Sequence, residues 1–457
     1  MSADNWICTA CILEPYLQAE IRKSESIEKC DYCGLTRPAV TIRTLAERCD
    51  VVIENFFECS STTMAVVHFD RAPEGGSLLD VLKGLLNSPH EDAHADVAKV
   101  LTGELWFDRD TQEHRYGDDD EPWFIERTRE PHHLDWSWQT MEKSLKNEAR
   151  MLNPKAAALL ESVFGDVGSD RTRSGGAVIV EIGPGCRIDV VYRARTFQSL
   201  QSLEEALRHP QRTIGSPPPG VGRAGRMNAS GVSVFYGSTT GEIAIPEIRP
   251  PVGSHVVVGR FRVIRKLRLL DLDALGEVIP QSGGSLFDPK TFAIASRCEF
   301  LKTLTTRMTM PVMPEHEIEG YLITQATADF LATHPKLNLD GIIYPSAQTD
   351  RSSAAPAGRN VVLFHGAAAV QGAESARAGT TGVKLWEIDD DQSCFDPEIW
   401  TQAEPPDDVR LPLWHPGERL PSLDLDCTAL EILQIRGVEY SKETYLVRHR
   451  VVAPKVP

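Results

Sequence analysis

No run of apolar residues in this 457-residue chain approaches the ~20 needed to cross a bilayer as a helix. The opening residues, MSADNWICTACILEPY, also lack the basic-then-apolar layout of a secretory signal, so a cytoplasmic protein is expected. Positive charge is scarce: 48 Lys and Arg stand against 65 Asp and Glu, a net charge of −17. That imbalance opposes broad association with phosphate backbones or anionic membranes; it argues against a general nucleic-acid binder while leaving room for a local basic patch. No disulfide framework is legible. Cys49, Cys59, Cys186, Cys298, Cys394 and Cys427 are scattered, which suits a reducing compartment.

What is present is a globular composition, 41% apolar and 25% charged, in a chain too long for one ordinary core. The other four cysteines, Cys8, Cys11, Cys30 and Cys33, form C-x2-C-x18-C-x2-C. Each tight pair places two thiolates on one turn, and the intervening loop brings the turns around one tetrahedral ion. The spacing predicts a structural zinc, closed to water, holding residues 1–37 as cysteine knuckles. Surface thiols or a redox pair are the competing readings, and the doubled motif argues against both.

From Pro38 the pattern is mostly helical, and a helical domain is expected over residues 38–171. Thr41–Asn55 and Leu78–Leu86 are amphipathic. Trp138, Met141, Leu145, Ala149 and Leu152 recur at helical spacing ahead of Pro154 and predict one core-facing stripe. The acidic run Asp118–Glu121 and the pair His132-His133 fit solvated loops. Arg127 and His132 show the R-x4-H spacing of some helical ribonucleases, but Pro131 between them disturbs a shared helix, so no nuclease site is expected. Thr172–Gly176 predicts a linker into a C-terminal domain over 177–457.

In that domain strands and helices alternate, and the expected fold class is α+β. The pattern predicts strands over Ala177–Ile182, Arg187–Ala194, Val232–Tyr236, Val256–Ile264, Ile342–Tyr344 and Val361–Phe364, with helices over Leu203–Leu207 and Tyr321–Leu331. Leu430–Val438 and Tyr445–Val451 predict a late hairpin, and Pro405–Pro421 a linker. Gly220–Gly225 fits G-x-G-x-x-G but follows Ser216-Pro217-Pro218-Pro219 instead of a strand, which excludes a dinucleotide-binding βαβ unit. Its glycines suit close approach of backbone N–H groups to an anion beside Arg223 and Arg226. His209, His255, His316, His334 and His365 have no metal-binding spacing.

Several motifs occur here in order: Tyr192-Arg193; Gly225-Arg226-Met227-Asn228 with Gly231; Phe235-Tyr236 and Glu247; Tyr321-Leu322-Ile323-Thr324-Gln325; Tyr344-Pro345-Ser346; and Asn360-Val361-Val362-Leu363-Phe364. Over about Ala177–Phe364 this resembles the RES family. The cysteine knuckles and helical block look like the N-terminal extension of its longer HEPN/RES members. The chain departs from the family pattern at Met227, where an aromatic more often follows the arginine; the local packing is expected to differ, the charge to be kept.

The resemblance implies an ADP-ribosyltransferase-like mixed β core that consumes NAD+. The nicotinamide–ribose bond would be split by phosphorolysis or hydrolysis, with inorganic phosphate a partner in the first case. In smaller members the domain acts as the toxin of a toxin–antitoxin pair. Carried over, the resemblance makes Arg193, Glu247 and Ser346 catalytic: Arg193 and Arg226 hold the phosphates, Glu247 acts on the ribose and Ser346 completes the pocket. Tyr236 lies near the nicotinamide end, and Tyr192, Asn228 and Asn360 are further binding positions.

The residue types fit this chemistry. Guanidinium forks match pyrophosphate oxygens, and a carboxylate stabilises the oxocarbenium character that ribose gains as neutral nicotinamide departs. Transfer of ADP-ribose to a macromolecule is the second enzymatic reading. A non-catalytic protein that senses a nucleotide is the third.

Overall fold

A computed structural model describes residues 4–24, 26–60, 75–103, 116, 123–127, 132–280, 284–310, 312–313, 315, 317–346, 358–373, 381–389, 392–401, 419–439 and 442–450. The acidic run Asp118–Glu121, His316 and most of Pro405–Pro421 lie outside them. The chain divides into two compact units, Met1–Val178 with Ala274–Met308, and Ile179–Asp273 with Thr309–Pro457. Among the described residues no helix is long and apolar enough to cross a membrane.

The first unit begins with three antiparallel strands, β1 (Trp6–Cys8), β2 (Ile27–Lys29) and β3 (Thr36–Thr41), in the order β1-β3-β2. The helix Ile42–Phe56 follows directly, with Thr41 Oγ1 accepting from Thr44 N at 3.3 Å as its cap. Its buried stripe, Ile42, Leu45, Cys49, Ile53 and Phe56, recurs at the helical period and joins Cys8, Cys11 and Cys30 in one core. The helix Leu78–Leu86 opens on a capping box between Ser77 and Asp80 and stops at Asn87, whose φ of 44° is left-handed. A small sheet that sequence patterning did not reveal, of β4 (Phe57–Ser60), β5 (Gly76–Ser77) and β6 (Trp123–Glu126), interrupts the helical run.

The stripe expected to reach Leu152 stops short. Trp138, Met141 and Leu145 are buried on the helix His132–Asn147, but Ala149 is exposed and Leu152 is 92% exposed. The reason is Asn153. Its Oδ1 accepts from Ala156 N at 3.1 Å and caps a new helix, Pro154–Phe164, while Nδ2 donates to Ala149 O at 3.0 Å and Ser144 Oγ at 2.8 Å. Pro154 is thus the first residue of a helix, where its missing N–H costs nothing. The helix Pro289–Thr309 also packs in this unit; its Arg297 forks onto Asp170 at 2.7 and 3.1 Å and donates to Val163 O at 2.7 Å.

The second unit is built on a nine-stranded sheet. Its strands are β7 (Ile179–Ile182), β8 (Val190–Phe197), β9 (Phe235–Ser238), β10 (His255–Val263), β11 (Leu267–Asp271), β12 (Gly341–Pro345), β13 (Arg359–Leu363), β16 (Leu423–Leu425) and β17 (Glu431–Gln434). β14 (Thr381–Asp389) and β15 (Gln392–Thr401) form a separate hairpin. The order is β16-β10-β8-β9-β13-β12-β11-β7, with β17 also on β10. β11 and β12 run parallel and the other pairs antiparallel, so the class is α+β.

The late hairpin expected from Leu430–Val438 and Tyr445–Val451 does not form. Glu431–Gln434 pairs with His255–Val258, Leu423–Leu425 takes the next stretch of the same edge, and residues 442–450 form no strand. The nine-residue β10 offers these segments a ready row of backbone partners, and hairpin patterning carries no signal for such long-range pairing.

β8 and β9 share one rung, Tyr192↔Ser238, and no further rung beyond it. Gly237 belongs to this crossing point, since a Cβ there would sit 2.7 Å from Tyr192 O. The sheet is open where β8 continues past Tyr192.

Candidate active site

A cavity of about 400 Å³ lies beside this opening. Strand alternation fixes what it meets. Tyr236, Tyr344, Asn360 and Val362 line it, while Phe235, Ile343, Val361 and Leu363 turn to the hydrophobic core. Register places Tyr236 opposite Val362 and Tyr344 opposite Asn360, which brings both tyrosines and the asparagine to one wall.

Glu247 ends the helix Gly241–Glu247 and also lines the cavity. Its Oε1 accepts from Ser346 Oγ at 2.6 Å and from Asn360 Nδ2 at 2.8 Å. Both donors are buried, at 3% and 5% exposure, so they hold the carboxylate in one orientation. Because they converge on Oε1, Oε2 stays available to a ligand. Arg193 enters from β8, its guanidinium 5.2 Å from the Phe235 ring centroid. Its Nη1 is buried with no hydrogen-bond partner. Burial, and next the charge of Arg195, draw its pKa down to about 10, which leaves it cationic at neutral pH. A buried charged donor without a partner is costly, and a ligand oxygen would relieve it.

Arg226 is held differently. It donates to Met310 O at 2.8 Å and lies 5.4 Å from the Tyr321 ring centroid. The loop beneath it is latched at several atoms. Thr324 Oγ1 donates to Arg226 O at 2.6 Å, and Gln325 Nε2 to Gly225 O at 2.8 Å. Tyr236 OH accepts from Met227 N at 2.9 Å and donates to Asn228 Oδ1 at 2.8 Å. Asn228 Nδ2 faces the carbonyls of Arg223, Ala229 and Val232 at 2.9, 3.0 and 3.1 Å. Gly225 has no alternative here, since a Cβ would meet Asn228 Oδ1 at 2.7 Å and Tyr236 OH at 2.8 Å. Asn228→Ala is expected to lower stability by about 2–3 kcal/mol by stranding these groups, read as a shifted urea midpoint.

Burial pushes the Tyr236 hydroxyl up to about 12, and burial followed by the Glu247 charge pushes Tyr344 up as well. Both remain neutral phenols at physiological pH.

The cavity therefore brings together Arg193, Arg226, Tyr236, Glu247 and Asn360. Ser346 contacts Glu247 and does not line it. Tyr192 is not among the lining residues but packs against the cluster of Ala194, Ala244, Val256 and Val258, of which Ala194 and Ala244 do line the cavity, and Asn228 sits in the loop at 3% exposure. Met227 is 2% exposed, so the position where the family favours an aromatic is filled by a buried thioether.

Residues 190–381 match the family model of the RES domain. The chain carries a RES domain. Every residue lining the cavity falls inside that span. No curated protein and no solved structure matches the chain.

The RES domain also depends on a pair that sequence patterning missed. Arg359 forks onto Asp271, with Nη1 2.7 Å from Oδ2 and Nη2 on Oδ1. Arg359 is register partner to Pro345 and Asp271 to Ile343, so the bridge spans β12 beside Tyr344 and Ser346 and immediately precedes Asn360. Both donors to Glu247 are thereby tied to one clamp. Asp271 is 7% exposed, and Asp271→Asn is expected to cost about 3 kcal/mol in urea unfolding because it strands a largely desolvated guanidinium. Tyr321 and Tyr344 were visible as motif residues without a role. Asp271 carried no signal, because its partner is distant in sequence.

Outside the RES domain, the Sγ atoms of Cys8, Cys11, Cys30 and Cys33 all lie within 4.8 Å of one another. Cys8–Cys11, Cys8–Cys33 and Cys11–Cys30 are 3.7, 3.6 and 3.8 Å apart. Zn–S bonds of ~2.3 Å give a tetrahedral edge of about 3.8 Å, so the cluster is compatible with zinc. Burial pushes the Cys8 and Cys11 thiols up, whereas the Leu35 amide draws Cys33 down to about 7.

Proposed function

We propose that the RES domain degrades NAD+ by breaking the nicotinamide–ribose bond. The observation that carries this reading is the pairing, in one cavity, of an arginine whose buried Nη1 has no hydrogen-bond partner with a carboxylate fixed by Ser346 and Asn360. Arg193, with Arg226 on the loop, would take pyrophosphate oxygens. Glu247, with Oε2 available, would face the ribose. As C1′–N1 breaks, its electron pair stays on the nicotinamide nitrogen and nicotinamide leaves neutral. The cationic C1′ is then captured by an oxygen of water or phosphate, whose surplus proton passes to solvent. Glu247 stabilises the positive charge in transit, and the neutral phenols of Tyr236 and Tyr344 can donate hydrogen bonds without adding charge.

The same reading takes residues 177–457 as an ADP-ribosyltransferase-like fold and residues 38–171 as the helical HEPN/RES extension, with a structural zinc on the four cysteines of residues 1–37. A cytoplasmic toxin restrained by an antitoxin is the corresponding biological role. Free nicotinamide should accumulate when purified protein is incubated with NAD+; intact NAD+ beside folded protein would reject the proposal. Acceleration by inorganic phosphate, with a phosphorylated ribose product, would identify phosphorolysis; indifference to phosphate would identify hydrolysis. Label from NAD+ appearing on a macromolecule would mark ADP-ribosyl transfer instead.

A further inference from the structure

β8 carries a second arginine two residues beyond Arg193. Side chains two apart on a strand project to the same side, ~6.6–6.8 Å apart along the backbone, so Arg195 continues the line that Arg193 begins. Arg195 is exposed as a residue, yet its guanidinium rests on Thr213 O and is held below the ordinary arginine range by desolvation and next by the charge of Arg223. Arg223 is exposed and immediately precedes Ala224, Gly225 and Arg226, which line the cavity. Arg193 thus lies at the cavity wall and Arg195 and Arg223 are exposed, each close enough to the next for their charges to interact.

Among the described residues no carboxylate balances them. Among the described residues none of the three forms an ion pair, and no carboxylate offsets the charge on Arg193 or Arg195. Elsewhere in this unit Arg260, Arg262, Arg265 and Arg359 each pair with an aspartate. In a chain of net charge −17, mutually repelling cations left uncompensated beside a cavity call for an external anion.

We propose that Arg195 and Arg223 form a second anion seat, continuous with Arg193, that binds a phosphate group. This deepens the NAD+ reading and rests on it for the choice of ligand. Phosphate offers several oxygens and up to two charges to adjacent planar forks, which suits repelling guanidiniums better than a singly charged carboxylate. It can arrive as free inorganic phosphate, the co-substrate of phosphorolysis, or on a nucleotide, as in the adenosine 2′-phosphate of NADP+.

Calorimetry on the full chain separates these sources, with inorganic phosphate, NAD+ and NADP+ as the probes. The Arg195→Ala/Arg223→Ala variant is expected to weaken binding of inorganic phosphate or NADP+ at least tenfold. Arg195→Lys should recover part of that loss, because it keeps the charge without the fork. A loss confined to inorganic phosphate identifies the co-substrate; a loss of preference for NADP+ over NAD+ identifies the nucleotide-borne group. Binding of both within twofold of the unaltered protein, in a double variant with an unchanged thermal melt, overturns the seat. So does unaltered protein that binds neither probe. Because calorimetry needs no turnover, phosphate binding without nicotinamide release would reject the catalytic reading and leave the seat standing.

Discussion

Glu247→Gln is expected to slow nicotinamide release by about 10²–10³-fold with little change in NAD+ affinity, the signature of a group that acts mainly in the transition state. The substitution suits the site. A glutamine can present its Oε1 to Ser346 Oγ and Asn360 Nδ2, which now meet the carboxylate at 2.6 and 2.8 Å, so the shape of the wall is kept while the charge is removed. If Glu247 only shapes the cavity, the two proteins will turn over alike. Ser346→Ala should fall between them, about tenfold slower, because Asn360 still holds Oε1 and the charge persists. Single-turnover release of nicotinamide, with NAD+ binding followed separately by calorimetry, distinguishes these cases.

Removal of the zinc proposed for the cysteine cluster is expected to unfold far more than the knuckles. Cys8, Cys11 and Cys30 are buried in the same core as Ile42, Leu45, Leu82 and Leu101, from three helices of the first unit. Tyr32, between the last two cysteines, donates to Asp96 Oδ2 at 2.7 Å, and Asn5 donates to the same oxygen at 3.3 Å. The knuckles are thereby fastened to the helix Glu91–Gly103. Structural zinc contributes an apparent ~10–16 kcal/mol in small domains at neutral pH, comparable with the whole stability of an ordinary domain. One equivalent of zinc should be found by elemental analysis. Its chelation, or Cys11→Ser, should abolish the cooperative melt of this unit. A melt unchanged by chelator would mean that the apolar core suffices and that the four thiols are incidental.

Both expectations rest on features that were unequally visible in the chain. The cysteine spacing was fully legible, since two tight pairs report a local turn geometry that needs no distant partner. The helix Leu78–Leu86 was legible to the residue, because its apolar period is local. The motif residues Arg193, Arg226, Tyr236, Glu247 and Asn360 could be named from the resemblance to the RES family. That Ser346 contacts Glu247, that Tyr192 backs the lining residues Ala194 and Ala244, and that Asn228 is spent inside its own loop, could not. The contacts of Ser346 and Asn360 with Glu247 join residues 99 and 113 positions apart, and nothing in either segment alone encodes the meeting.

The sequence by itself determined the chemistry on offer: a thiolate cluster, an acidic chain with a few reserved arginines, and strands whose alternation decides which side chains can share a face. Tertiary structure alone decided the rest. It gave residues 423–434 to the edge of β10 in place of a late hairpin, and it stopped the β8–β9 ladder after one rung, beside which the cavity lies. It also stretched Arg359 to Asp271 across β12. The physical reason is common to all three: periodicity and caps are written over a few neighbouring residues, whereas strand order, register and long-range ion pairs are chosen by the packing of the whole sheet.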